Sequence, residues 1–209
     1  MIERTLASKV TSLAQKFQVI TLTGPRQSGK TTLVRATFPD LPYVSLEEPD
    51  IRQIALTDPR GFLSNYPNGV ILDEIQNTPE LFSYIQRIVD ENRQIQFILT
   101  GSSNFLLMEK ISQTLAGRTA VLHLLPFSLQ ELEPLADSYE NLIFKGQYPR
   151  IYDRTIPPPD FYPSYIQTYV DRDVRMIKNI GDINAFIQFT QLCAGRIGQP
   201  LNNASLAND

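Results

Sequence analysis

The chain has 209 residues, of which 42% are hydrophobic and 20% are charged, and its formal net charge is −3. This length suits one sizeable globular domain with room for a smaller one. The negative charge excludes a general attraction to nucleic acids or anionic membranes, so any nucleic-acid contact needs a local basic face. No apolar run reaches the roughly 18 residues of a membrane helix, and the N-terminus lacks a signal-peptide core. We therefore expect a cytoplasmic protein without a membrane partner.

The hydrophobic pattern alternates between short apolar runs and amphipathic stretches. Strands are predicted at residues 17–22, 41–46, 69–74, 95–103 and 119–127. Helices are predicted at 1–16, at 29–37, in pieces over 47–67, at 78–92 with Thr78 as the N-cap, and at 104–118. This alternation predicts an α/β fold in which helices cover both faces of a parallel sheet.

The pattern becomes helical after residue 128. Residues 154–163 contain four prolines and predict a stiff linker. Two helices are expected beyond it, at about 163–178 and 182–196. The predicted organisation is therefore a core over residues 1–153, a proline-rich linker over 154–163 and a helical segment over 164–209.

A phosphate-binding loop is predicted where the first strand meets the next helix. Residues 24–31, GPRQSGKT, match the Walker A pattern G-x-x-x-x-G-K-[ST]. Glycines let backbone N–H groups approach a polyphosphate closely, and the positive end of the following helix faces it. Lys30 supplies a cation to the terminal phosphates and Thr31 a hydroxyl ligand for Mg²⁺. The predicted nucleotide-binding residues are Gly24, Pro25, Arg26, Gln27, Ser28, Gly29, Lys30, Thr31 and Thr32, with Lys30 also catalytic.

A second acidic element, VILDE, ends the third predicted strand. A carboxylate at the end of a buried strand beside the phosphate-loop strand can hold the hydration shell of Mg²⁺, which is the Walker B role and fits Asp73. A second carboxylate one residue later, Glu74, can orient and deprotonate an attacking water. This arrangement favours hydrolysis of the terminal phosphate over transfer of that phosphoryl group to another substrate.

Two further catalytic candidates rest on weaker signals. The fourth strand ends in small polar residues, so Thr100, Ser102 or Ser103 can face the terminal phosphate, with Ser103 as our candidate; a plain Gly-Ser turn explains the sequence equally well. Arg118 is a candidate arginine finger or phosphate sensor, and a surface arginine is the alternative. A finger acting on another subunit would require a homo-oligomer.

Several motifs in this order resemble a large prokaryotic family of predicted AAA-type P-loop ATPases, in which the ATPase core precedes a C-terminal domain of unknown function. They include LTGPRQSGKTTL, YVSLEEPD, VILDEIQNTPEL, FILTGSSNFLL and LAGRTAVLHLLPFSLQEL. The resemblance implies the sheet order 5-1-4-3-2, ATP as the nucleotide, and a winged-helix-like segment after the core. It assigns Lys30 and Thr31 to the phosphate loop and Asp73 and Glu74 to the acidic motif. Residues 100–103 correspond to the end of the strand that senses the terminal phosphate.

The resemblance also implies a longer chain, because members of this family usually continue well beyond the point where the present sequence ends. We therefore expect a truncated chain with an incomplete winged-helix-like segment. Nucleic acid is then expected as a partner only through the missing C-terminal part.

Three functions are compatible with the sequence. The leading one is Mg²⁺-dependent ATP hydrolysis that drives a conformational switch. A nucleotide-binding or DNA-binding adaptor without hydrolysis is the second. A small-molecule kinase is the third, although it needs an acceptor site and an arginine-rich lid, and Glu74 argues against it.

Overall fold

The computed structural model describes residues 2–102, 111, 113–135, 138–172, 182–200 and 202–208. The chain divides into two compact units, residues 1–156 and 157–209. Within the described residues, no helix combines the length and the apolar character needed to cross a membrane.

The larger unit contains a five-stranded parallel sheet. Its strands are β1 (Val19–Gly24), β2 (Tyr43–Ser45), β3 (Gly69–Asp73), β4 (Gln96–Ser102) and β5 (Thr119–His123). Their order across the sheet is β2-β3-β4-β1-β5, which is the expected order 5-1-4-3-2 read from the opposite side. The predicted α/β fold and sheet order are confirmed.

Among its described residues, the larger unit also contains short helices. They are α1 (Leu6–Ala14), α2 (Lys30–Thr37), α3 (Pro49–Thr57), α4 (Pro59–Ser64), α5 (Leu81–Glu91), α6 (Leu129–Leu132), α7 (Tyr139–Lys145) and α8 (Pro149–Arg154). Two 3₁₀ turns lie at Ile75–Asn77 and Glu133–Leu135.

Alternate residues of the central strands are buried on opposite faces of the sheet. Ile98 of β4 belongs to a hydrophobic cluster with Val34 of α2, whereas its neighbour Phe97 belongs to a cluster with Phe82 of α5. Successive side chains of a strand point to opposite faces, so a sheet covered on both faces needs apolar residues at consecutive positions. This explains the continuous apolar runs in the sequence.

The predicted start of the fifth helix is wrong. Thr78 is fully buried and does not cap α5, which begins at Leu81. The 3₁₀ turn Ile75–Asn77 comes first, and the Thr78 N–H donates to the Ile75 carbonyl at 3.0 Å. This turn begins one residue after β3 and ends directly before Thr78, so the helix starts later than its sequence signal suggests.

The smaller unit is helical, with α9 (Pro158–Arg172), α10 (Ile183–Gly195) and α11 (Asn203–Asn208). Helix α9 begins at Pro158, inside the residues predicted as a stiff linker, and the predicted domain bounds stay a prediction. Prolines suit the first turn of a helix, where a backbone N–H has no partner within the helix. The Asp182 side chain caps α10 by accepting from the N–H groups of Asn184 and Ala185. The winged-helix character of this unit stays a prediction.

Candidate nucleotide-binding site

Three strand ends converge at the carboxyl edge of the sheet. Gly24 ends β1 and is paired with Ser102 of β4, while Asp73 ends β3. Strand β4 lies between β1 and β3. The phosphate loop, the acidic motif and the polar end of β4 therefore share one edge, as the sequence predicts.

The phosphate loop has a backbone path that requires glycine at two positions. A Cβ atom on Gly24 would lie 2.1 Å from the Leu124 carbonyl oxygen, so only glycine permits this close approach. Gly29 has a φ of +91°, in the left-handed region. Gln27 also has a positive φ, 61°, and such strain in a non-glycine residue is typical of binding loops.

Lys30 is the first residue of α2 and is only 6% exposed. Its Nζ donates to the carbonyl oxygens of Gly24 at 3.0 Å and Pro25 at 2.9 Å. The ammonium group therefore lies against the first turn of the loop, where carbonyl oxygens stabilise its charge. This is the position from which a lysine can reach a bound polyphosphate.

The other predicted loop residues differ in their exposure. Arg26 is half-buried, whereas Gln27 and Thr32 are exposed. Ser28 is fully buried, and its hydroxyl has no hydrogen-bond partner among the described residues. A buried hydroxyl normally has a partner, so the Ser28 side chain fits a loop that binds a polar ligand.

Asp73 is the best-supported carboxylate of the site. Three hydroxyl groups of the described residues donate to it. Thr31 and Tyr43 donate to Oδ2, at 2.8 Å and 2.7 Å. Thr100 donates to Oδ1. Because Asp73 is only 6% exposed, these bonds replace most of the water that an ionised carboxylate needs.

The residues around Asp73 fit a magnesium ion. Thr31 and Asp73 place a hydroxyl and a carboxylate oxygen in direct contact at the phosphate loop, and Mg²⁺ prefers such hard oxygen ligands. Among the described residues, no group of three or more His, Cys, Asp or Glu side chains could hold a metal ion by itself, at this site or at another. One carboxylate supplemented by nucleotide phosphates is the usual arrangement for this ion.

Glu74 follows Asp73 in a strained backbone conformation. Its φ is 57° and its ψ is 47°, in the left-handed region that non-glycine residues rarely adopt. Gln76 donates its side-chain amide to Glu74 Oε2 and also contacts the Ser102 hydroxyl at 3.4 Å. Gln76 thus links the carboxylate predicted as the base to the end of β4.

The polar residues at the end of β4 have different surroundings. Thr100 is fully buried and donates its hydroxyl to Asp73, so it supports the carboxylate. Ser102 is half-buried beside Gln76. Ser103, our candidate at this strand end, lies outside the described residues.

Arg118 lies far from the phosphate loop of its own chain, and its role as an arginine finger or phosphate sensor stays a prediction. Arg118 directly precedes Thr119, which is paired with Val19, the first residue of β1. It therefore lies at the amino edge of the sheet, roughly 17 Å from the phosphate-loop edge at about 3.3 Å per residue. Its Nε donates to Asp90 at 2.6 Å, and this carboxylate holds the pKa of the guanidinium above its ordinary value.

Tyr43 and Gln76 were not among the residues predicted for the site. Tyr43 lies on β2, which the expected sheet order places beside β3, so that order was the one available signal. Burial, followed by the hydrogen bond to Asp73, raises the Tyr43 pKa well above its ordinary value. Its hydroxyl therefore stays protonated and acts as a donor at neutral pH.

Comparison with known proteins identifies family models that match two parts of the chain. A family model described as an AAA domain matches residues 16–133, which is more than half of the chain. The chain belongs to the AAA domain family. A second model, a domain of unknown function (DUF8612), matches residues 136–209. The expected relationship to AAA-type P-loop ATPases with a C-terminal domain of unknown function is confirmed.

Curated relatives of this AAA protein include uncharacterised proteins of Mycobacterium bovis and Mycobacterium tuberculosis. Each is 27% identical over 178 residues, which cover 83% of this chain and 40% of the relative. The chain thus spans less than half of the length of these relatives. Among solved structures, a Walker-type ATPase of Pyrococcus abyssi matches with a TM-score of 0.50 and 17% identity, covering 93% of this chain and 74% of that chain. This likeness shows the P-loop ATPase fold.

Proposed function

We propose that this AAA protein binds ATP with Mg²⁺ and hydrolyses it. The observation that carries the proposal is the direct contact between Thr31 of the phosphate loop and Asp73 at the end of β3. It brings the two predicted metal-binding oxygens together at the loop that contains Lys30. Glu74, the proposed base, follows Asp73 on the chain.

The loop residues bind and orient the nucleotide. Backbone N–H groups between Gly24 and Thr31 donate to phosphate oxygens, and Lys30 exchanges its bonds to the loop carbonyls for bonds to the terminal phosphates. Thr31 and Asp73 would hold Mg²⁺, and the bound ion would neutralise negative charge on the phosphates. Tyr43 and Thr100 hold the Asp73 carboxylate in place through their hydroxyl groups.

Glu74 accepts the proton of the attacking water in this proposal. Its carboxylate is fixed by the Gln76 amide, and Gln76 also contacts Ser102 at the end of β4. A base that is already held in one position loses less entropy when the reaction begins. The strained backbone at Glu74 fits a functional position of this kind.

The hydrolysis cycle changes the contacts of the phosphate loop, and we propose that this change drives a conformational switch. Support comes from the division of the chain into two compact units. Relative motion is the default expectation for separate compact units of one chain.

Nucleotide binding without hydrolysis is the second candidate function. It is favoured by the bond between Gln76 and Glu74, because that amide occupies one oxygen of the proposed base. In this alternative the protein would act as a nucleotide-gated adaptor.

Hydrolysis and binding measured on the same preparations separate the two functions. The parent chain, Lys30→Ala and Glu74→Gln are each incubated with ATP and Mg²⁺, and phosphate release and nucleotide affinity are recorded. The proposal expects turnover in the parent, loss of affinity in Lys30→Ala, and loss of turnover with retained affinity in Glu74→Gln. Glu80→Gln, which removes the charge of a nearby exposed carboxylate, is the matched control and should behave as the parent.

Binding without turnover in every variant, including the parent, would contradict hydrolysis and favour the adaptor. An absence of nucleotide binding by the parent would contradict both functions.

A further inference from the structure

Arg4 lies outside every motif recognised in the sequence, two residues before α1, yet it contacts the phosphate loop. Its Nη1 donates to the Ser28 carbonyl at 2.7 Å. The Arg4 side chain is only 10% exposed. A nearly buried arginine needs several partners to offset its desolvation, so its surroundings indicate what holds it.

The guanidinium of Arg4 joins three segments of the larger unit. Nη2 donates to the carbonyl oxygens of Leu125 at 2.7 Å and Pro126 at 3.3 Å, in the segment after β5. Nε donates to Glu131 at 3.1 Å. The guanidinium carbon also lies 4.8 Å from the centroid of the Phe127 ring. A planar group with donors on several edges can make these contacts together, whereas a lysine offers one point charge.

Glu131 is itself fixed on several sides. Its Oε1 accepts from the Thr5 N–H at 2.7 Å and its Oε2 from the Ser128 N–H at 2.8 Å, the latter as part of the capping box that begins α6. Burial by itself would raise the pKa of the Glu131 carboxyl. The N–H groups of Ser128 and Thr5, followed by the charge of Arg4, outweigh burial and hold this pKa below its ordinary value. Arg4 is thus paired with an ionised carboxylate whose position is set by the start of α6.

The contact with Ser28 has a direct consequence for nucleotide binding. The Ser28 carbonyl and the Gly29 N–H belong to one planar peptide unit, in which the two groups point in opposite directions when the peptide is trans. No cis peptide bond occurs among the described residues. Arg4 therefore holds the carbonyl on one side of the loop and leaves the Gly29 N–H on the other, where it is available to an anion.

We propose that Arg4 is a positioning residue that preorganises the phosphate loop for nucleotide binding. This inference rests on the nucleotide binding proposed above. Arg4 acts through the Ser28–Gly29 peptide and does not itself touch the nucleotide. The Glu131 carboxylate and the segment after β5 fix Arg4 from the other side, so the start of α6 contributes to the geometry of the loop.

The test compares Arg4→Lys and Arg4→Gln with the parent. Affinity for ADP with Mg²⁺ is measured by calorimetry, and KM and kcat for ATP by phosphate release. We expect the affinity for ADP to fall about tenfold, because each variant weakens or loses one charge-assisted hydrogen bond to the phosphate loop. KM should rise by a similar factor while kcat stays within about twofold, because preorganisation affects substrate and transition state alike.

Two control variants distinguish positioning from a general structural role. Arg87→Lys alters an exposed ion pair with Glu91 and should leave every value unchanged. Glu131→Gln removes the charge that faces Arg4 but leaves the bond to Ser28 available, so it should weaken ADP affinity by only about twofold. Unfolding midpoints without nucleotide are recorded for all variants.

ADP affinity equal to that of the parent in both Arg4 variants would overturn the proposal, as would a lower unfolding midpoint with unchanged affinity of the folded protein. Failure of both Arg4 variants to fold would assign Arg4 to maintenance of the fold and would also overturn it. A parent chain that binds no ADP would instead contradict the proposed function.

Discussion

The two edges of the parallel sheet contain charged residues in different surroundings. At the carboxyl edge, Asp73 is 6% exposed and accepts hydrogen bonds from hydroxyl groups on α2, β2 and β4. At the amino edge, Arg118 pairs with Asp90, with side-chain exposures of 35% and 47%. A buried carboxylate depends on its donors because its desolvation is costly, whereas an exposed ion pair contributes little. Substitutions at the carboxyl edge should therefore change ATP hydrolysis and stability strongly, and substitutions at the amino edge only slightly.

The largest effect is expected for Asp73→Asn, which keeps the shape of the side chain and removes its charge. Loss of the proposed metal ligand should lower ATP hydrolysis by at least about 100-fold. It should also abolish the increase in nucleotide affinity on adding Mg²⁺, measured by calorimetry with and without the metal. Mg²⁺-dependent affinity equal to that of the parent would contradict the assigned role of Asp73.

The next largest effect is expected for Gln76→Leu, which removes the amide donor to Glu74 and Ser102. The proposed base would lose the group that fixes its position, so kcat should fall about tenfold. The affinity for ATP should not change, because Gln76 does not belong to the phosphate loop. A rise in kcat would instead mean that Gln76 restrains Glu74.

A smaller effect is expected for Tyr43→Phe. The variant removes one of the hydroxyl donors to Asp73 but keeps the aromatic ring against Arg35. Urea unfolding should show a loss of about 1–2 kcal/mol, and the Mg²⁺ concentration that gives half-maximal hydrolysis should rise about threefold. Unchanged unfolding and an unchanged Mg²⁺ requirement would show that Tyr43 does not support Asp73.

Acid should protonate Glu131 and so weaken its contact with Arg4, which holds the phosphate loop. Its folded pKa lies below the ordinary value of 4.5, so the stabilisation is present above that pH and is lost as the pH falls through the folded pKa. The free energy of unfolding should therefore fall below about pH 4.5 and fall less steeply in Glu131→Gln. Equal slopes for the two proteins in acid titrations of urea unfolding would contradict this assignment.

The smallest effect is expected for Arg118→Ala. Its partner Asp90 is exposed and the pair lies far from the phosphate loop, so hydrolysis by a single chain should change by less than about twofold. Specific activity measured over a range of protein concentrations tests the remaining alternative. An activity that rises with concentration in the parent, but not in the variant, would indicate that Arg118 acts on a neighbouring subunit.

Much of the site could be predicted because its main residues occupy the ends of adjacent strands. The loop pattern identifies Lys30 and Thr31, and a carboxylate ending a buried apolar strand identifies Asp73. Sheet order then brings these residues together, although that order came from the family resemblance and not from the hydrophobic pattern.

The supporting residues could not be predicted, because their contacts join distant parts of the chain. Arg4 and Glu131 are separated by 127 positions, and no local pattern relates them. Arg118 directly precedes the strand predicted at residues 119–127, so the expected parallel sheet already places it at the amino edge, away from the phosphate loop. Thr78 has a suitable N-cap sequence, but the 3₁₀ turn before it delays the start of α5.

The identity of the nucleotide that stays bound after incubation with ATP and Mg²⁺ tests the central claim most directly. The parent and Glu74→Gln are incubated, separated from free nucleotide and denatured, and the released nucleotide is identified by chromatography. The account predicts ADP from the parent and intact ATP from Glu74→Gln, since both bind but only the parent has the base. Intact ATP from both proteins, or ADP from both, would contradict the assignment of Glu74 as the catalytic base of an ATPase.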